Sequence, residues 1–182
     1  MSTPTHSAHK TVKEEIIEWL KSLVVAFILA MIIRTFFFQA FKIPSSSMYP
    51  TLKIGDHLIA NKLIYRFRQP ERGDVIIFRF PDGSHRDFVK RLIGLPGEKV
   101  RIDGGKIYIN EQVVTDSEVA GRYYFNTEHM PEVIVPADDF FVLGDNSGNS
   151  FDSRYWGYVP RKDLIGTGLF IYWPPQRIRV IR

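Results

Sequence analysis

The chain has 182 residues, 45% apolar and 24% charged, with a net charge of +4, so it holds one packed domain and is not disordered. It has no Cys, and its five His show no H-E-x-x-H spacing, which excludes disulfides, Cys-ligated zinc, iron–sulfur clusters, a Cys nucleophile and a zincin site. The charge is thinly spread, three Lys against three Glu in residues 1–21 and 20 basic against 17 acidic side chains in 42–182, too mixed to argue for nucleic acid.

Residues 1–15 read as a short tail, its first twelve residues polar and small. Residues 16–41 read as one membrane-spanning helix. Sixteen of the 19 residues from Leu23 to Phe41 are apolar, and 19 residues of helix span about 28 Å, near the roughly 30 Å of a hydrocarbon core. Arg34 interrupts the run and is expected near one face, its head among the headgroups, with Phe36, Phe37 and Phe38 beside it and Trp19 at the other face. A cleaved signal peptide and a buried helix of a soluble protein are the competing readings. Lys10, Lys13 and Lys21 before the span nearly balance Arg34, Lys42 and Lys53 after it, so charge does not orient it.

Residues 42–182 read as short strands and turns, with 13 Gly and 11 Pro in the chain as punctuation. The candidate strands are His57–Asn61, Asp74–Phe80, Arg86–Ile93, Val100–Ile102, Lys106–Ile109, Gln112–Val114, Phe140–Leu143 and Leu169–Trp173. This predicts a mostly β, antiparallel sheet or barrel-like domain after the N-terminal helix. Gln176–Arg182 alternates basic and apolar residues, either as a lipid-facing basic strand or, preferred here, as a solvated edge strand protected by charge.

Three constellations stand out in chain order. In Ile43–Leu52, two prolines bracket three serines and a threonine follows the second, a rigid loop able to hold a hydroxyl in place; a Ser-rich polar linker is the plainer reading. Lys90 lies among Phe88, Val89, Leu92 and Ile93, so it either points inward, where desolvation favours the neutral amine, or faces water like most lysines. Gly144–Gly157 packs two Asp, two Asn and three Ser between Asp145 and Ser153, with Arg154 next. Its oxygens suit Ca²⁺, but the EF-hand spacing fails for want of a Glu at the twelfth position. A neutral Lys can take the proton of a weakly nucleophilic Ser, given a pKa lowered by about 3 units from its usual value near 10.4.

All three constellations, with Arg72-Gly73-Asp74-Val75 before a strand and one N-terminal anchor, resemble type I signal peptidase over about residues 20–182. The resemblance implies a membrane-bound serine endopeptidase that cuts signal peptides from exported preproteins after small-x-small motifs. It implies Ser47 as nucleophile and Lys90 as general base. It implies that the Ser45 hydroxyl and the Ser47 N–H form the oxyanion hole. It also implies that Ser150 hydrogen-bonds Lys90 and that Asp145, Asp152 and Arg154 form one supporting ion-pair network. No metal or cofactor is implied. The partners implied are preproteins delivered by the export machinery and membrane lipids, with no nucleic acid and a monomeric protein. The place implied is a bacterial-type plasma membrane or a thylakoid membrane, with the N-terminus cytoplasmic and the catalytic domain on the trans side. One departure stands out: many members carry Arg after G-D-N, where this chain has Ser147 and then Gly148, a more flexible pair with one charge fewer. The large inserted domain of some members is expected to be absent or much reduced. Two other readings remain, a Ser–Lys autoprotease of the repressor type and a non-catalytic anchored β-domain; the first lacks room for a helix-turn-helix in the short tail.

Overall fold

The computed structural model describes residues 12–115, 119 and 129–181. Most of the expected tail lies outside them, and the chain is already helical at Val12, earlier than position 16. Helix α1 runs Val12–Phe36, 25 residues, with Glu14 and Glu15 in its first turn and Arg34 in its last, each matching the helix dipole. It buries no residue, and it is long and apolar enough to cross a membrane. The apolar run was expected to stay helical to Phe41, but Phe38–Lys42 is a strand. Aromatic residues favour extended backbone, and a partner strand at His57–Asn61 satisfies the ladder. The boundary between two compact units falls between Phe37 and Phe38.

The second unit carries β1 (Phe38–Lys42), β2 (His57–Asn61), β3 (Val75–Arg79), β4 (Asp87–Gly94), β5 (Lys99–Asp103), β6 (Lys106–Ile109), β7 (Gln112–Val113), β8 (His129–Ile134), β9 (Asp139–Leu143), β10 (Val159–Pro160), β11 (Leu164–Trp173) and β12 (Arg179–Val180). The larger sheet has the order β1-β2-β11-β3-β4-β9-β10, with β12 on β11; the smaller is β7-β6-β5-β8. Every pairing is antiparallel, as the mostly β expectation requires. Each of the eight expected strands overlaps an observed one, β12 falls within the expected edge strand Gln176–Arg182, and β1, β8 and β10 come in addition.

β3 shows how the core is built. Val75, Ile76, Ile77 and Phe78 are all buried, so both of its faces are covered. Val75 and Ile77 pack with Ile43, Met48, Leu52 and Leu58. Ile76 and Phe78 pack with Leu92, Phe140 and Val142. Burying each such side chain contributes about 1.5–3 kcal/mol. The smaller sheet closes a third cluster, where Val100, Ile102, Ile107 and Ile109 meet Ile93 and Phe141.

Candidate active site

The β1–β2 loop carries Ser47 and is held at its base. Ile43 N–H donates to Asp56 O at 2.9 Å, and Gly55 N–H donates back to Ile43 O at 2.9 Å. Met48 and Leu52 point from the loop into the core and are fully buried, so the loop is not a solvated linker. From the other side, the segment after β9 grips it. Asn146 N–H donates to Ser47 O at 3.0 Å, and Asn146 Nδ2 donates to Ser46 O at 3.1 Å. Asn149 Nδ2 donates to Ser46 Oγ at 2.7 Å.

Lys90 stands in the middle of β4, opposite Ile76 of β3, and is 4% exposed. Its Nζ lies 2.7 Å from Ser47 Oγ, across 43 residues of sequence. A charged Nζ donates to that oxygen; a neutral amine accepts from the hydroxyl instead. Burial pushes the Lys90 amine down to about 8, and nearby Arg154 adds to the effect, while Asp152 and Asp145 oppose it. The pair therefore sets a loop hydroxyl beside a buried amine that gives up its proton near pH 8 and not near 10.5. Ser45 Oγ is 3.3 Å from Ser47 Oγ on the exposed side. A cavity of about 450 Å³ opens here, lined by Phe41, Ile43, Pro44, Met48, Phe88 and Val89 as well as by Ser45, Ser47 and Lys90.

The supporting residues depart from expectation in two respects. Ser150 Oγ is buried and has no hydrogen-bond partner among the described residues, so the bond expected to Lys90 is not made. Ser150 packs against Gly144 instead: a Cβ on Gly144 would lie 2.1 Å from Ser150 Oγ and 2.5 Å from Ser47 O. Among the described residues, the bidentate bonds of the network expected of Asp145, Asp152 and Arg154 form two centres, one of them around Arg91. Arg154 grips Asp152 through Nε at 2.8 Å and Nη2 at 2.9 Å, and its Nη2 also donates to Ser147 O at 2.8 Å. Asp145 is held by Arg91, Nε at 2.7 Å and Nη2 at 2.8 Å, with neither side chain exposed. Thr51 Oγ1 also donates to Asp145.

Arg91 was missed by the sequence reading. Strand alternation that turns Lys90 inward turns Arg91 to the opposite face, which would be solvent on a one-sided sheet. Here both faces of β4 are covered, so both cations are buried. Arg91 Nη1 donates to Gly73 O at 2.6 Å, which gives the Arg72–Val75 segment a place beside the site. Arg72 pairs with Glu98 at 2.7 Å, and Asp74 accepts two bonds from Arg68. Asn146 and Asn149 also escaped notice as anchors of the serine loop, although both lie in the third constellation.

A family model described as signal peptidase, peptidase S26, matches residues 16–173. The chain is 45% identical over 171 residues to a probable signal peptidase I-2 from Synechocystis sp., covering 90% of this chain and 77% of that one. It is 41% identical over 172 residues to a signal peptidase I from Leptolyngbya laminosa, covering 90% and 82%. It is 35% identical over 168 residues to thylakoidal processing peptidase 1, chloroplastic, from Arabidopsis thaliana, covering 87% of this chain and 48% of that one.

Proposed function

The chain belongs to the signal peptidase family, peptidase S26, and on that premise we propose that it is a membrane-bound endopeptidase that uses Ser47 and Lys90 to cut signal peptides from exported preproteins after small-x-small motifs. The observation that carries this reading is the 2.7 Å contact between a buried lysine and a loop serine, at the wall of an apolar cavity.

Neutral Lys90 takes the proton of Ser47 Oγ as the oxygen attacks the scissile carbonyl. The oxyanion forms against the Ser47 N–H and the Ser45 hydroxyl. Collapse breaks the C–N bond, and the Lys90 ammonium gives its proton to the leaving amine of the mature chain. A water then attacks the acyl-enzyme, again losing its proton to Lys90, and that proton returns to Ser47 as the signal peptide leaves. Asp145, Asp152, Arg154 and Ser150 support this site without touching the reacting atoms. The cavity walls of Ile43, Met48 and Val89 suit small apolar side chains before the cut.

Helix α1 supports a single-pass anchor in a plasma or thylakoid membrane, with the β-unit on the trans side and in reach of lipid. The substrates are preproteins handed over by the export machinery, and the protein acts as a monomer.

The test is preprotein processing by the full chain in detergent, with Ser47→Ala, Lys90→Ala and Lys90→Arg alongside. Wild type cleaves after a small-x-small site. Each of the three variants loses at least about 10³-fold in rate, since the nucleophile and its base act as one unit and Arg does not deprotonate. Substantial activity in Lys90→Arg rejects the base assignment.

A further inference from the structure

The C-terminal segment was read as an edge strand whose charges face solvent or lipid. β12 is indeed an edge strand, paired to β11 through Phe170 and Ile171. Its arginines, however, reach back to the nucleophile loop. Arg177 binds Asp56 in bidentate fashion, Nε to Oδ1 at 2.8 Å and Nη2 to Oδ2 at 2.7 Å, and the Asp56 side chain is 1% exposed. Arg177 Nη2 also donates to Thr51 O at 3.3 Å. Arg179 Nη2 donates to the same Thr51 O and, at 3.3 Å, to Pro50 O. Between them, Ile178 faces out.

These bonds close on the ends of the segment that carries Ser47. Asp56 O accepts the N–H of Ile43, where the loop begins. Thr51 lies at the loop's far side, next to buried Leu52. Two guanidiniums from a segment more than 120 residues away in sequence therefore hold the exit of the turn bearing Ser47 at Thr51 and Asp56, and reach its entry through the bond from Ile43 N–H to Asp56 O. Charge-assisted, bidentate bonds of this kind fix orientation as well as adding stability.

We propose that Arg177, seconded by Arg179, is a positioning residue for Ser47: the C-terminal strap sets the distance between Ser47 Oγ and Lys90 Nζ by clamping Asp56 and Thr51. The inference rests on the Ser47–Lys90 reading above. Misplacement of a nucleophile by about 1 Å can cost on the order of 10²-fold in rate, so the clamp acts on kcat. The cavity walls contain neither arginine, so KM is not its target.

The experiment measures kcat and KM for preprotein cleavage by the full chain in detergent. It compares wild type, Ser47→Ala, Arg177→Ala, Arg177→Lys and Arg179→Ala, with the folded fraction of each followed by circular dichroism. Folded Arg177→Ala is expected to lose roughly 10–10²-fold in kcat with KM within about twofold. Arg177→Lys recovers part of that loss, because it keeps a charge on Asp56 but not the fork. Millimolar guanidinium added to Arg177→Ala restores kcat, because the side chain it replaces is partly open to solvent. A fold that is merely weakened gains nothing from this denaturant. Wild-type kcat in folded Arg177→Ala overturns the proposal, as does a loss that tracks the unfolded fraction and responds to neither Lys nor guanidinium. If Arg177→Ala does not fold, Arg179→Ala decides: a lowered kcat at constant KM supports the clamp, and an unchanged kcat rejects it. Activity in Ser47→Ala would instead defeat the reading on which the clamp depends, leaving the two failures distinguishable.

Discussion

Lys90 is held where a lysine is least stable as a cation. Its amine, lowered to about 8 chiefly by burial, changes charge within the range where enzymes are assayed. The proposed base role therefore predicts that kcat/KM rises about tenfold per pH unit below pH 8 and levels off above it. A pH profile with no break near 8 would remove Lys90 from the mechanism. The same burial works against folding. The folded value lies below the unfolded one, so the cost is full below about pH 8 and fades as pH rises towards 10.5. Lys90→Met is expected to be inactive yet more stable at pH 7 by up to about 3 kcal/mol, the equivalent of the shift. Its advantage should shrink by pH 10, and urea denaturation at the two pH values measures both. At this scale the sequence raised an inward Lys90, from its apolar neighbours, as one of two readings, and burial decides for it. It was silent on Arg91, because one residue of alternation assigns the next cation to the opposite face without saying whether that face is covered.

At the scale of elements, the site depends on close approach between two loops far apart in sequence. The β1–β2 loop and the segment after β9 touch where Gly144 meets Ser47 O and Ser150. Gly144→Ala places a methyl 2.5 Å from the Ser47 carbonyl, against backbone that has no easy escape. We expect a loss of at least about tenfold in kcat with about 1–3 kcal/mol of destabilisation. Steady-state cleavage together with thermal melting separates the two effects. Near-wild-type kcat would mean that the loop yields without moving Ser47. Strand positions were largely legible because turn residues and β-rich runs are local signals. β1 was not: Phe38–Phe41 continues an apolar run, and composition alone assigns it to the helix before it. Only its pairing to His57–Asn61 makes it a strand. Ser150 is the other miss, its hydroxyl packed against Gly144 rather than bonded to Lys90.

On the scale of the whole molecule, buried ion pairs tie the sheet to its loops. Arg91 and Asp145 link β4 to the segment after β9 across 54 residues, with neither side chain exposed. Arg91→Met leaves the Asp145 carboxylate buried without that guanidinium, which costs about 3–5 kcal/mol. Chemical denaturation should record that loss, whereas a change below about 1 kcal/mol would mean that Asp145 finds another donor. By itself the sequence determined the apolar N-terminal helix, the antiparallel β class, the family, and the segments that hold the candidate site residues, because periodicity, turn chemistry and short motifs are properties of neighbouring residues. The tertiary structure alone decided which arginine holds which carboxylate, that the helix gives way to a strand after Phe36, and that the C-terminal arginines clamp the serine loop. Those outcomes hang on pairings such as β2 with β11, more than 100 residues apart, where contact is set by the closure of the sheet and by the demand of each buried charge for a partner.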